Sequence, residues 1–185
     1  SAGLPPPDEA DRLWLLGRDA LEAAGYAQYE VSNFARPGKE VIHNIRYWRM
    51  ENWLAAGPAA SGTIIDDRAG RGFRYTVKPD VAAYLRRSRP AASPGWVTET
   101  LDRLTLMKES CLMGFRYAEG PDPELFRLRF GLDLEGLIPR TLAAWRRRGL
   151  LRPGKTALTR EGLLFLDPFL IDAFRELETS AVCYS

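Results

Sequence analysis

The sequence predicts an α+β fold that begins with the edge of an α/β unit and ends in a largely helical region. Three observations lead to this prediction: an amphipathic helix that runs into a short strand, an alternating hairpin near the middle, and several helical segments after it. The chain has 185 residues, 45% hydrophobic and 27% charged, which is ordinary for a globular protein able to bury a core.

The first helix is predicted from Asp8 to Ala24, with Asp8 as its cap and Gly25 as its terminator. Its apolar positions recur at helical spacing, at Leu13, Leu16, Ala20, Leu21 and Ala24. A strand from Gln28 to Ser32 follows. A helix leading into a strand is the repeating piece of a TIM-like α/β barrel or a doubly wound sheet. Since only one such piece is present, the strand must find backbone partners elsewhere.

The middle of the chain predicts a turn, an aromatic segment and a hairpin. Arg36-Pro37-Gly38 is the turn, and 43–53 carries three large aromatic residues. Small residues from Gly57 to Gly62 would allow a close approach of the backbone to a ligand or another segment. The loop 66–72 and the alternating strand 73–77 predict a β-hairpin.

The second half predicts helices with one small hairpin. After a short helix from Pro79-Asp80 to Leu85 and a linker from Arg89 to Gly95, Thr98 is expected to cap a helix ending near Gly114. A helix from Pro121-Asp122 to Phe130 closes at Gly131, and another runs from Leu134 to Arg148.

The chain then predicts a hairpin over 150–158, a helix capped by Thr159, and a kink or restart at Pro168. The order helix, helix, hairpin, helix is that of a winged-helix domain. The residues alone therefore predict the edge of an α/β barrel or a doubly wound sheet, followed by a helical, winged-helix-like domain.

Charge and cysteine content restrict the chemistry. The net charge of +2 creates no strong field for nucleic acid or membrane, and the apolar run 163–166 is too short to span a bilayer. The two cysteines, Cys111 and Cys183, fit neither a disulfide framework nor the usual zinc spacings, which favours a reducing cytoplasm. His43 is the one histidine, so any role for imidazole falls on it.

An ordered series of motifs resembles the radical-SAM family of oxygen-independent coproporphyrinogen III oxidases and HemW-type haem chaperones. The segment 29–38 resembles the YEISNFA+PG block of the chaperones, and 43–48 matches their H-N-x-x-Y-W motif. The segment 57–62 lies where the family has G-P-G-A-H-S. Further blocks are similar at Phe73-Arg74-Tyr75 with Tyr84, at 112–116 with Gly120, and at Leu158-Thr159 with Gly162.

The resemblance implies that the chain is the carboxyl-terminal portion of such a protein. It implies a division into the last helix and strand of a radical-SAM barrel (1–42), an aromatic-rich connector and hairpin (43–90), and a winged-helix-like domain (91–185). The partner would be the amino-terminal barrel, which would hold S-adenosylmethionine and a 4Fe-4S cluster. The connector would help to enclose that cofactor and a tetrapyrrole.

Two departures from the family pattern bear on chemistry. The C-x-x-x-C-x-x-C triad that holds the cluster has no counterpart, since two cysteines 72 positions apart cannot supply three ligands. The chain alone is therefore expected to be inactive. In addition, Ser61 replaces the histidine of G-P-G-A-H-S, so that position offers a hydroxyl instead of an imidazole.

The resemblance implies that His43 is a haem-iron ligand, since a neutral imidazole is a good axial ligand. In a helix Tyr47 would share its face, and Tyr47 and Trp48 could pack on a flat macrocycle. Asn44 could bind a carboxylate or cap a turn. The alternative is structural: His43 and Asn44 would anchor the segment by hydrogen bonds, and the aromatic rings would belong to the core.

The resemblance also places Asn33, Ala35 and Ser61 at the border of the S-adenosylmethionine pocket, with tight strand packing as the alternative. No catalytic carboxylate is assigned. Glu30 is as compatible with a salt bridge as with catalysis, and Asp66-Asp67 is most simply a solvated turn.

Two other functions stay open on the residues alone. A basic cluster in the winged-helix-like region would suit DNA binding, although cations at a helix carboxyl terminus also interact favourably with the helix dipole; its members are Arg140, Arg146, Arg147, Arg148, Arg152 and Lys155. The chain could also be a purely structural cap on the barrel.

Overall fold

The computed structural model describes residues 5–87 and 95–181, in which a three-stranded antiparallel sheet packs against a helical bundle. The strands are β1 Ala27–Gln28, β2 Phe34–Ala35, β3 Ser61–Asp66, β4 Arg71–Val77 and β5 Trp96–Leu101. The helices are α1 Pro7–Ala23, α2 Ile42–Trp48, α3 Val81–Arg87, α4 Arg103–Arg116, α5 Pro123–Phe130, α6 Leu134–Leu137, α7 Pro139–Arg147 and α8 Leu166–Ala181, with a 3-10 helix at Gly162–Phe165. The predicted linker from Arg89 and the residue Cys183 lie outside the described residues.

Helix α1 confirms the predicted helix to within a residue at each end, and Gly25 follows it with φ of 82°. Its burial is the reverse of what its amphipathic pattern predicts. Leu13 and Leu16 are exposed, whereas Arg18 is buried and donates to the carbonyl of Arg160 at 3.2 Å. The helix therefore docks on the rest of the chain through polar side chains, since Asp19 and Glu22 also pair with Arg160, and it leaves Leu13 and Leu16 uncovered.

The strand predicted over 28–32 forms differently. β1 and β2 make a short antiparallel hairpin, in which the Tyr29 N–H donates to the carbonyl of Asn33. The segment 29–31 then pairs with the end of α4 and the residues after it: the carbonyl of Tyr29 accepts from the Ala118 N–H at 3.0 Å, and the Val31 N–H donates to the carbonyl of Arg116 at 3.2 Å. The extended segment 29–31 thus finds its backbone hydrogen-bond partners in the second half of the chain, at Arg116 and Ala118.

The central sheet has the order β3-β4-β5, and its β3-β4 hairpin confirms the predicted one. Its third strand corrects the prediction of a helix cap at Thr98, because Thr98 lies in β5 opposite Tyr75. Asp102 caps α4 instead, since its carboxylate accepts from the Thr105 N–H at 2.8 Å. β5 lies in the predicted winged-helix-like domain (91–185), yet it completes the sheet whose other two strands lie in the predicted connector (43–90).

The core lies between α4, α7 and α8 and extends to the sheet through Ile65 and Leu101. Phe169 of α8 packs edge-on against Phe115 at 4.4 Å and against Trp145 at 5.2 Å between ring centroids. Cys111 is fully buried here, and burial raises the pKa of its thiol to about 12. It is therefore a core side chain and an unreactive thiol.

The helical end departs from the prediction in two places. The helix predicted from Leu134 to Arg148 is interrupted at Ile138, because Pro139 has no N–H to continue the hydrogen-bond ladder and begins α7. The predicted hairpin over 150–158 is reduced to one bridge between Leu151 and Leu158. Thr159 does cap the next turn, accepting from the Gly162 N–H at 3.0 Å.

A carboxylate from α8 caps α7. Glu176 is 8% exposed and accepts from the Arg140 N–H at 2.9 Å and from the Thr141 N–H at 2.7 Å. Burial alone would raise the pKa of Glu176, but hydrogen bonds from Thr141 and Arg140 hold it below its ordinary value. The charge also meets the positive end of the α7 dipole.

A buried guanidinium joins the sheet to the helices. Arg129 of α5 donates to Asp67 in the β3-β4 turn at 2.7 Å, to the carbonyl of Met50 at 3.0 Å, and to the hydroxyl of Ser110 at 3.4 Å. Asp67 is therefore an ion-pair partner, and the prediction of a merely solvated turn is corrected. Asp66 does form the turn, accepting from the backbone of Arg68 and Ala69.

Replacing Arg129 by methionine should lower the free energy of unfolding by about 2–4 kcal/mol, because a buried guanidinium is removed and three acceptors lose their donor. Asp67→Asn should cost under about 1 kcal/mol, since that carboxylate is partly exposed and an amide oxygen can still accept. Urea unfolding of both variants measures this difference, and equal losses would contradict a central role for the guanidinium.

Glu176→Gln should destabilise the protein by about 1–2 kcal/mol at pH 7, because the amide nitrogen must face a backbone N–H. A carboxyl whose pKa is lowered on folding contributes its stability above its ordinary value of 4.5 and loses it as the pH falls further. Urea unfolding at pH 7 and pH 4 should therefore show the gap between variant and wild type narrowing in acid. The exposed Glu178→Gln is the control, and a gap independent of pH would refute the assignment.

Candidate functional site: helix α2 and its neighbours

Helix α2 carries four of the predicted site residues on two faces. His43 and Tyr47, four residues apart, lie together on one face, with ring centroids 4.8 Å apart and an edge-on arrangement at 77°. The Tyr47 ring also packs on Trp53 at 4.8 Å. His43 is exposed, and within residues 5–87 and 95–181 no hydrogen bond or ion pair occupies either ring nitrogen.

Asn44 and Trp48 form the other face and attach α2 to the protein. The Asn44 side chain donates to the hydroxyl of Tyr29 at 3.2 Å. The guanidinium of Arg116 lies over the Trp48 ring, 5.1 Å from its centroid. The structural interpretation thus fits Asn44 and Trp48, whereas His43 contributes no anchoring hydrogen bond among the described residues.

Two buried polar atoms next to α2 are unsatisfied. Trp48 Nε1 and Arg116 Nε have no hydrogen-bond partner in the part of the chain that the structure describes. A buried unpaired N–H costs free energy, so the Trp48–Arg116 contact leaves two donors unsatisfied.

Ser61 lies at the start of β3, and its polar atoms are already engaged. Its hydroxyl is 2.7 Å from that of Thr76, and its carbonyl accepts from the indole N–H of Trp53 at 3.0 Å. Trp53 therefore connects Ser61 to Tyr47 and, through it, to His43. The hydroxyl at the position of the replaced histidine is committed to the sheet.

The small residues before β3 form a tight turn and a close packing contact. Gly57 and Ala59 have positive φ values of 115° and 62°, and the Ala59 N–H donates to the carbonyl of Val77. A Cβ on Gly62 would lie 2.4 Å from the Tyr75 ring. At Gly62 the interpretation as tight strand packing therefore applies.

The remaining predicted residues lie in the hairpin of β1 and β2. The side chain of Asn33 is exposed, and its carbonyl closes the turn by accepting from Tyr29. Ala35 is buried opposite Ala27. The hydroxyl of Tyr29 also accepts the hydrogen bond from the Asn44 side chain, so Tyr29 links the turn at Asn33 to α2. Glu30 is buried and accepts from the Ser32 N–H at 2.7 Å, so it supports the same turn.

The chain's donor atoms do not fit an iron–sulfur cluster. Among the described residues no group of three histidine, cysteine or acidic side chains comes together, and the Cys111 thiol is buried in the core. The exposed imidazole of His43 does fit the requirement for one axial ligand to a haem iron. No helix in the described ranges is long and apolar enough to cross a membrane.

The basic cluster near α7 is largely neutralised by acidic partners. Arg146 pairs with Glu135 at 2.8 Å, and Arg140 pairs with Glu176 at 3.2 Å. Arg152 and Lys155 share Glu119, whose pKa is lowered by the hydrogen bonds from Lys155 and Arg152. Arg148 stacks on Trp145 at 4.3 Å. Cations in such pairs are poor candidates for phosphate contacts.

Two neighbours of the site received no role from sequence reasoning. Tyr29 and Arg116 both stand in segments that resemble family motifs, at 29–38 and 112–116. Those motifs mark the positions but do not state that the two side chains contact α2. The contacts join positions 15 and 68 residues apart in the chain, which no local pattern encodes.

Comparison with known proteins finds relatives that match most of the chain. No family model matches the chain. It is 29% identical over 163 residues, 87% of its length, to the haem chaperone HemW of Bacillus subtilis. It is 31% identical over 195 residues, 94% of its length, to radical S-adenosyl methionine domain-containing protein 1, mitochondrial, of Mus musculus.

The chain is a relative of the HemW-type haem chaperones and of radical S-adenosyl methionine domain-containing protein 1. Its fold is similar to that of the radical-SAM coproporphyrinogen III oxidase of Escherichia coli, with a TM-score of 0.66 and 16% identity, over 94% of this chain and 42% of that one. The chain spans about 41% of the length of each of these two curated radical-SAM relatives. The agreement supports its identification as a carboxyl-terminal portion.

Gly62→Ala should destabilise the chain by about 1–3 kcal/mol, because the added methyl group overlaps the Tyr75 ring. Gly136→Ala in α6 is the matched control: a Cβ there meets nothing within 4 Å, so the change should be neutral or stabilising by up to about 1 kcal/mol. Thermal unfolding measures both variants. Equal effects would show that Gly62 is not needed for the packing of Tyr75.

Proposed function

We propose that this chain is the carboxyl-terminal part of a radical-SAM protein of haem trafficking or haem biosynthesis, in which α2 helps to enclose S-adenosylmethionine and a tetrapyrrole. The observation that carries the proposal is the free, exposed imidazole of His43, backed edge-on by Tyr47 on a helix that Asn44 and Trp48 attach to the protein.

His43 has the properties that an axial ligand needs. Its ring nitrogens have no hydrogen-bond partner among residues 5–87 and 95–181, and its neighbour Tyr47 limits the orientations of the ring. Neutral imidazole donates a nitrogen lone pair to iron, and bound haem would supply the open axial position. Tyr47 and Trp48 are the aromatic residues placed to pack near the macrocycle. The H-N-x-x-Y-W motif at 43–48 favours a HemW-type haem chaperone over a coproporphyrinogen III oxidase.

The residues at the proposed border of the S-adenosylmethionine site offer few free polar side-chain groups. Asn33 presents an exposed amide, whereas Ala35 and Ser61 offer small side chains, the hydroxyl of Ser61 being committed to Thr76. These residues would position the cofactor through backbone and shape. The cluster that binds it belongs to the part of the relatives that this chain does not span, so the 185-residue chain alone should not cleave S-adenosylmethionine.

The barrel edge and the winged-helix-like domain belong to the same proposal. Exposed leucines on α1, at positions 13, 16 and 21, form an apolar surface that the described residues leave uncovered. In an α/β barrel such a helix face packs against the strands. This surface also supports a second candidate function, a structural cap that binds the barrel and nothing else. No observation favours DNA binding, given the paired arginines near α7.

Haem titration of the 185-residue chain tests the proposal. The wild type should give a saturable Soret shift, and His43→Ala should abolish it or weaken affinity at least about tenfold through loss of the iron ligand. Tyr47→Ala should weaken it less. The double variant I42H/H43A is the matched control, since it retains one imidazole, moved by one position to an exposed site, and should not restore binding.

An unchanged Soret titration in well-folded His43→Ala, judged by circular dichroism, would refute haem ligation by His43. Co-purification of the chain with an added amino-terminal half, combined with no haem binding by the wild type, would favour the structural cap.

A further inference from the structure

The central sheet has a second apolar face that the core does not use. Side chains alternate along its strands, so Ile65 and Leu101 turn to the helices while Ile64, Phe73 and Tyr75 turn to the opposite side. On that side lies a cavity of about 380 Å³. Its lining consists of aliphatic and aromatic residues from the sheet, α3 and the segment 54–57, and no residue of α2 lines it.

Four aromatic side chains surround this cavity: Phe73, Tyr75, Tyr84 and Trp96. The rings of Tyr75 and Trp96 are 5.7 Å apart at their centroids and tilted by 55°. Among the described residues that line the cavity, none has a charged side chain. Flat aromatic ligands gain both apolar burial and ring packing in such a site, whereas a charged ligand would lose its hydration without a partner.

The segment 54–57, which forms one wall of the cavity, is hydrogen-bonded to Tyr75 of the sheet. The Tyr75 hydroxyl donates to the carbonyl of Ala55 at 2.9 Å and accepts from the Ala55 N–H at 2.7 Å. Its ring lies directly over Gly62, where any side chain would overlap it. The segment 54–57 is thereby fixed against the sheet, so the cavity exists before any ligand enters. A preformed site binds without first ordering its own walls.

We infer that this cavity is a binding site for an uncharged, fused-ring aromatic ligand, separate from the α2 site. Its volume is near the lower end of the range for small-molecule sites, which matches a compound of two or three rings. The hydroxyl of Tyr84 and the indole N–H of Trp96 have no hydrogen-bond partner in the described ranges, so they can orient a polar edge of the ligand.

The uncharged fluorophore N-phenyl-1-naphthylamine is the probe, titrated into the 185-residue chain. It should bind saturably with a stoichiometry of one, and at least about tenfold more tightly than anilinonaphthalene sulfonate, whose charge finds no partner in the cavity. Ile64→Phe, which fills the cavity from its floor, should reduce binding at least about tenfold while the thermal midpoint stays equal or rises.

Phe73→Ala and Phe165→Ala form a matched pair, because the two phenyl groups are 43% and 44% exposed and only Phe73 lines this cavity. Phe73→Ala should weaken binding severalfold, and Phe165→Ala should leave it unchanged. Unsaturable binding, or equal losses in the two alanine variants, would overturn the assignment. Exclusion of the probe by the full-length natural protein would show that other protein segments fill the cavity.

Discussion

The buried guanidinium of Arg129 joins three parts of the chain that are distant in sequence. It meets the turn of the β3-β4 hairpin at Asp67, the backbone that follows α2 at Met50, and α4 at Ser110. A buried cation must be paired, so the guanidinium favours the arrangement in which these three parts supply its acceptors. The position of α2, and with it the orientation of His43 and Tyr47, depends on that arrangement because Met50 directly follows the helix.

One face of helix α2 attaches it to the protein, and the opposite face exposes His43. Its inward residues, Asn44 and Trp48, are held by Tyr29 and Arg116, which come from opposite halves of the chain. Its outward residues, His43 and Tyr47, contact each other and Trp53. A helix held on one face by polar and cation–π contacts can present the other face with little loss of entropy on binding. The H-N-x-x-Y-W motif therefore contains both the residues that anchor α2, Asn44 and Trp48, and the exposed imidazole of His43.

The distribution of exposed apolar surface is informative about the parent protein. Helix α1 buries Arg18 and exposes Leu13, Leu16 and Leu21, and the outer face of the sheet exposes Phe73 and Trp96 around an aromatic cavity. The two surfaces differ in shape. The first is a convex helix face suited to a strand layer, while the second is concave and lined by rings. A chain that spans about 41% of its relatives' length is expected to show surfaces of the first kind.

The sequence by itself determined the features that depend on neighbouring residues. Asp122 and Gly131 bound α5 as predicted, the β3-β4 hairpin forms where the strand alternation indicates it, and the spacing of His43 and Tyr47 places them on one helix face. Caps, turns and periodicity act over a few residues, so they can be read directly.

Only the tertiary structure decided which partners distant segments find. It recruited β5 as a third strand in place of a helix start at Thr98, buried Arg18 where leucines were expected, and brought Arg116 over Trp48. In each case the deciding free energy comes from contacts across the fold, namely ladder pairing, burial with a hydrogen bond, and a cation–π contact. These contacts override local propensity and leave no local pattern in the sequence.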